Sequence, residues 1–361
     1  MRAATGRWLL AGAFAVVGVM GGLIGAAIAS PNASSASSAS GAAAAGSAAA
    51  CPVSPVASKV LPSVVTISAT AAGGGGSGSG EVIRPDGYIL SNNHVIAAAA
   101  RAGSVEVLFS DGTSTPASIV GRDVLSDLAV LKVQPTHDMK VISLGSSDSV
   151  QVGQPVIALG APLGLSGTVT SGIVSALDRT VEVPAEDDRS ALLVSAVQTD
   201  AAINPGNSGG ALVNCSGDLI GVPTAGATAT SASGESSAGS IGLGFAIPVD
   251  VAKTISGEII AHGRATHSYF GLQTMPIPEE SAAQAGLHGG LFVSGVVAAG
   301  PAAKAGLRQG DVITSIEGNP ATSNVQLQEL TLTKNPGDQV LIHYVRDGHS
   351  SSVTVTLGAQ P

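Results

Sequence analysis

The stretch Pro205-Gly206-Asn207-Ser208-Gly209-Gly210-Ala211 has the composition of a nucleophile turn. A serine that attacks a carbonyl needs a tight turn that pushes its Oγ outward. It also needs bare backbone N–H groups aimed at the oxyanion that forms. Gly206, Gly209 and Gly210 permit the unusual backbone angles and the close approach of substrate that this demands. Such a serine also requires a base. Of the seven histidines, only His94 and His137 lie between the N-terminal spacer and residue 250. His137, in Gln134-Pro135-Thr136-His137-Asp138, reads as an exposed loop residue. His94 follows the strand-like Gly87-Tyr88-Ile89-Leu90 and precedes an apolar turn, a setting that holds an imidazole firmly.

The carboxylate that would orient His94 has three candidates. Asp127 opens the apolar run Asp127-Leu128-Ala129-Val130-Leu131-Lys132-Val133, which reads as a buried strand, and a carboxylate at its mouth would be held dry against an imidazole. Asp123, in a polar stretch just before it, reads as a solvated loop residue. Asp200, close before Ser208, reads as a structural loop acceptor. Context selects Asp127; spacing alone does not.

These motifs, in the order His94, Asp127, Ser208, resemble those of the HtrA (DegP/DegS-like) family of serine proteases. The matching stretches are Ser91–Ile96, Ser126–Val130, Thr199–Gly210, Gly167–Ser175 and Gly242–Pro248. The resemblance implies a mainly β chain: a chymotrypsin-like double β-barrel followed by an α+β PDZ domain. It implies a backbone oxyanion hole at Gly206, Asn207 and Ser208. It places the uncharged Ala202 near the base of the specificity pocket, hence small or medium aliphatic residues before the scissile bond. Trypsin-like enzymes that are activated by cleavage carry Asp before the serine; here that residue is Asn207. Three positions depart from the family pattern: Ala211 stands where proline is usual, Glu81 interrupts an apolar run, and Cys215 lies in a loop where cysteine is rare. Trimers are common in the family.

The elements that would position these groups are legible in part. Short β-rich runs separated by turns fill the region from Lys59 to about Gly263, among them Val64–Ser68, Ser104–Phe109, Pro155–Leu159 and Asp218–Val222. The glycine run Gly73–Gly80 reads as a mobile loop at the barrel rim, and Val249–Ile260 as a closing helix. The domains are expected at 51–263 (protease) and 267–358 (PDZ). In the second unit, Tyr269-Phe270-Gly271-Leu272 resembles the carboxylate-binding loop of PDZ domains, with Asn324–Leu330 as the helix beside the peptide groove. C-terminal peptides are the expected ligands there, added as an extra strand.

Arg2 and Arg7 precede an uncharged apolar stretch, Trp8–Ala29, long enough to span about 30 Å of hydrocarbon. Residues 1–30 are therefore expected to be a signal anchor, or a signal peptide cut after Ala27-Ile28-Ala29, and either reading exports the rest. Residues 31–50, almost all Ala, Ser and Gly, read as a linker. The net charge of −9 and the absence of a Lys/Arg cluster argue against nucleic acid as a partner. No Cys/His set has metal-ligand spacing, and no cofactor or metal is expected. The two cysteines, Cys51 and Cys215, lie on the exported side, where disulfides persist, and are expected to pair. Taken together, these features predict an exported serine endopeptidase that cleaves misfolded or signalling proteins outside the cytoplasmic membrane, with a PDZ domain for peptide binding and regulation. The rival reading is a non-proteolytic chaperone or PDZ scaffold, whose mark would be a broken triad.

Overall fold

The computed structural model describes residues 51–135, 139–161, 167–184, 190–226, 239–278 and 289–360. The expected N-terminal anchor and linker lie outside them. Among the described residues no helix is long and apolar enough to cross a membrane.

A short helix, α1 (Val53–Val60), leads into a closed barrel of β1 (Val64–Ala71), β2 (Gly74–Val82), β3 (Tyr88–Asn92), β4 (Ser104–Leu108), β5 (Ser114–Asp123) and β6 (Leu128–Lys132), in the order β1-β2-β3-β6-β5-β4. Alternating apolar residues fill it. Val65, Ile67, Ile89, Val107, Ala129 and Leu131 point inward and are fully buried. The one-turn helix α2 (Asn93–Ile96) leaves the end of β3.

The glycine run corrects the sequence reading. It is not a rim loop but most of β2, paired with β1 from Val64↔Glu81 to Ala71↔Gly74. Glycine is there for packing. A Cβ on Gly80 would overlap Ile67, Ile89 and the Leu90 carbonyl, and one on Gly78 would press on Val95 and the Ser208 carbonyl.

A second barrel follows, with strands β7 (Ser143–Leu144), β8 (Pro155–Gly160), β9 (Thr168–Pro184), β10 (Ser190–Thr199), β11 (Ala211–Val213), β12 (Asp218–Gly226) and β13 (Gly244–Pro248). They run in the order β11-β8-β9-β10-β13-β12-β7, and a further β11–β12 pairing closes the ring. Helix α3 (Val249–His262) begins directly after β13 and stops at Gly263, which caps it at φ +76°. Its buried face, Ala252, Ile255 and Ile259, joins a core cluster with Val64 and Leu90 of the first barrel and Ile157 and Leu159 of the second. Cys51 and Cys215 are joined by a disulfide, with Cα atoms 5.2 Å apart.

The remaining elements form the PDZ fold: β14 (Ser268–Tyr269), β15 (Leu272–Pro276), β16 (Leu291–Val296), helix α4 (Pro301–Ala305), β17 (Val312–Ile316), β18 (Asn319–Pro320), helix α5 (Asn324–Thr333), β19 (Gln339–Arg346), β20 (His349–Thr356) and β21 (Gly358–Ala359). The main sheet runs β15-β16-β17-β19-β20. Strand β15 is therefore an edge, and α5 lies beside it. Ser323 starts α5 with a reciprocal capping box to Gln326.

Candidate active site

His94 sits on α2, held at the C-terminal end of β3. Asp127 sits in the turn between β5 and β6. Its backbone is left-handed at φ +56°, an uncommon conformation that Asp tolerates better than most residues. The turn aims its carboxylate at the start of α2. Asp127 Oδ2 lies 2.8 Å from His94 Nδ1, and Oδ1 accepts the His94 backbone N–H at 3.0 Å. The Asp127 carbonyl accepts the Asn93 N–H at 3.1 Å and the Asn92 side-chain amide at 2.9 Å. Asp127 is thus bonded from both its backbone and its side chain, and its side chain is 5% exposed against 40% for His94. A dry carboxylate beside a half-open imidazole fixes the Nδ1–H tautomer and leaves Nε2 free to accept a proton.

Ser208 comes from the other barrel, in the turn before β11. Gly206 and Gly209 have φ +99° and +77°, the left-handed region that glycine adopts without cost. Asn207 N–H donates to the Asn204 carbonyl at 3.0 Å, and its side-chain amide donates to the Ala202 carbonyl at 3.2 Å, so Asn207 braces the turn from inside. Among the described residues neither the Gly206 nor the Ser208 backbone N–H has a partner. These are the two donors that an oxyanion hole at this turn would use.

Strand β2 reaches across and grips the turn. Ser79 N–H donates to the Ser208 carbonyl at 2.9 Å, and Ser79 Oγ donates to the Gly206 carbonyl at 2.6 Å while accepting Ala161 N–H at 2.8 Å. Ser91 Oγ in turn donates to the Ser79 carbonyl at 2.7 Å.

Thr224 on β12 completes the site. Its Oγ1 donates to Asp127 Oδ2, and its carbonyl accepts Ser208 Oγ at 3.3 Å. One residue therefore touches both ends of the constellation. Nothing in the sequence marks it, since a threonine in a β-strand is ordinary. Ser79 and Ser91 are equally silent. Only the pairing of the barrels exposes their roles.

Two residues set aside in the sequence reading are also placed. Asp200 accepts the Ile173 N–H at 2.7 Å, the loop-acceptor role expected of it. Asp123 is a correction. It is not solvated but 6% exposed, because His267 covers it and its carboxylate shapes the turn to Asp127. In the PDZ unit, Phe270 is buried in the core and Leu272 packs partly against it, while Gly271 takes φ +73° and Tyr269 pairs with Gly358. Among the described residues no group of His, Cys, Asp and Glu is placed to hold a metal.

Comparison with known proteins agrees with this fold. Residues 78–222 match the trypsin-like peptidase domain model and residues 271–357 the PDZ domain model. The HtrA-type protease AlgW, solved with a decapeptide, superposes with a TM-score of 0.67 at 33% identity, covering 86% of this chain and 99% of that one. The chain belongs to the HtrA-type serine proteases. The serine endoprotease of Yersinia pestis is a further structural relative of this HtrA-type chain, at TM-score 0.62 and 32% identity, covering 86% of this chain and 98% of that one. The serine protease PepD of Mycobacterium tuberculosis is 44% identical over 310 residues, which is 84% of this chain and 65% of PepD. A probable periplasmic serine endoprotease, DegP-like, of Pseudomonas fulva is 38% identical over 285 residues, 78% of this chain and 56% of the relative. The HtrA-type chain thus spans between half and two thirds of these curated relatives.

Proposed function

We propose that this HtrA-type chain is an exported serine endopeptidase in which His94, Asp127 and Ser208 form the catalytic triad. The observation that carries the reading is the 2.8 Å contact between His94 Nδ1 and buried Asp127, linked through Thr224 to a serine turn whose flanking N–H groups are unpaired among the described residues. The resting Ser208 hydroxyl donates to the Thr224 carbonyl, so attack begins with its rotation toward His94 Nε2. His94 takes the Oγ proton as Oγ adds to the peptide carbonyl, and Asp127 stabilises the imidazolium. The Gly206 and Ser208 N–H groups receive the oxyanion, with Asn207 holding the turn between them. His94 then gives the proton to the leaving amine, and water repeats the sequence on the acyl-enzyme.

The domain limits 51–263 and 267–358, the pairing of Cys51 with Cys215 in the exported protein, and membrane attachment through residues 1–30 belong to the same proposal. The DegP-like relatives bear the description periplasmic, which supports export. Polypeptides are the substrates. Peptides with a free C-terminus add to the edge of β15, their carboxylate received by the backbone of the Tyr269–Leu272 loop; that the related AlgW was solved with a decapeptide supports peptide binding.

The deciding experiment compares the wild type with Ser208→Ala in casein cleavage and in labelling by a serine-directed phosphonate. Both activities vanish in a folded Ser208→Ala protein; cleavage by the purified variant would refute the assignment.

A further inference from the structure

The turn that delivers Asp127 is built on a second carboxylate. Asp123 accepts the Leu125 N–H at 3.3 Å and the Ser126 N–H at 3.2 Å, and Ser126 Oγ also donates to it. These bonds fold residues 123–126 back on themselves, and the next residue is Asp127 in its left-handed conformation. The carboxylate that organises the turn has one further partner, His267 Nε2 at 2.9 Å. Both side chains of this pair are 7% exposed. Burial alone would raise the Asp123 pKa. His267, Ser126 and the Leu125 amide together outweigh it and hold the group below its ordinary value of 3.8, so it is a carboxylate near neutrality.

His267 belongs to neither barrel. It precedes β14, its carbonyl accepts the Gln360 N–H at 2.9 Å, and it stands two residues before the Tyr269–Leu272 loop. The same turn is tied a second time, since its Leu125 carbonyl accepts the Leu192 N–H of β10 at 3.0 Å. Strand β10 packs against α5 of the PDZ unit. Both ties of the turn therefore lead to the PDZ unit.

We infer that His267 is a positioning residue for proteolysis: its Nε2–H holds Asp123 in the conformation that folds the 123–126 turn and so sets Asp127 against His94. The PDZ segment thereby supplies one of the supports of the triad. A displaced Asp127 loses its grip on His94, and misplacements of about 1 Å in such machinery cost about 100-fold in rate. None of residues 123–126 is among the groups proposed to touch substrate. The loss falls on kcat rather than on KM.

The inference rests on the triad proposed above, and phosphonate labelling of Ser208 reads that triad directly. Failure of the triad appears as wild-type protein that does not label. Failure of the inference appears in the variants. In the full chain, His267→Ala is expected to lower kcat about tenfold with KM within twofold, and His267→Gln, which keeps a side-chain N–H, to recover most of it. If the alanine variant does not fold, His267→Gln against His267→Met reads the same difference at similar volume. Asp123→Ala combined with His267→Ala should lose no more than Asp123→Ala alone, because the histidine acts through the carboxylate. Wild-type kcat in a folded His267→Ala or His267→Met protein, equal loss in the variants with and without the donor, or losses that multiply in the double variant would each overturn it.

Discussion

Glu81 gives the sharpest test of the packing between the barrels. It is fully buried on β2, opposite Val64 and Leu90, and among the described residues neither of its carboxylate oxygens has a hydrogen-bond partner. Burial, the larger influence, drives its pKa well above the ordinary 4.5; its own backbone N–H pulls weakly the other way without completing a hydrogen bond. The folded protein therefore keeps a proton on Glu81 that the unfolded chain releases above its ordinary value of 4.5. Where the folded state binds the extra proton, stability falls as pH rises. The slope is about 1.4 kcal/mol per pH unit, from the unfolded pKa up to the folded one. Glu81→Gln has the same size and no titration. Urea unfolding followed by circular dichroism, repeated from about pH 5 upward, should show the variant gaining on the wild type by up to about that slope for as long as the pH stays below the folded pKa, with the gap widening as pH rises. Glu81→Leu should gain further by removing the unpaired polar atoms. Parallel stability curves for wild type and Glu81→Gln would refute the reasoning, since they would mean that Glu81 is ionised and paired in the folded protein.

Three further outcomes are expected. Breaking the Cys51–Cys215 link, which closes a separation of 164 residues, with Cys51→Ser/Cys215→Ser should lower stability by up to about 5 kcal/mol, read as the urea midpoint with and without reductant; identical midpoints would show that the bond does not form. Thr224→Val removes the hydroxyl that holds Asp127, and kcat should fall roughly 10- to 100-fold with the fold intact; unchanged kcat would exclude a role for that bond. Gly209→Ala would put a Cβ into the Ser79 carbonyl and Ser91 Oγ in a left-handed backbone, costing about 1–2 kcal/mol from the backbone alone and most of the activity; a casein assay beside a thermal melt checks both.

The proposed triad is legible in the sequence because His94, Asp127 and Ser208 each sit in a stretch whose composition fits only a narrow set of structures: a strand end, a buried strand mouth, a glycine turn. The closing helix was legible as well, its apolar spacing reading as 249–260 where the structure has Val249–His262. What stayed hidden depends on contacts between distant segments. The glycines of β2 look like a rim loop until Ile67, Ile89 and Val95 are seen filling the space a side chain would need. Asp123 looks solvated until a histidine 144 residues away covers it. Thr224 carries no local signal, because its role lies in touching a carboxylate 97 residues away.

The grip of Ser79 on the serine turn has a kinematic consequence. A catalytic pair drawn from two bodies faces a tolerance problem, since any rolling of one barrel over the other enters the gap between base and nucleophile directly. Here the turn is referenced to β2 through the Ser208 and Gly206 carbonyls, and β2 belongs to the body that carries His94. The same turn is also tied to its own barrel, where Gly209 N–H donates to the Pro223 carbonyl of β12 at 2.9 Å, so rolling of either barrel is opposed at the turn itself. By sequence the proposed nucleophile belongs to the second barrel; by its attachments it is pinned to both.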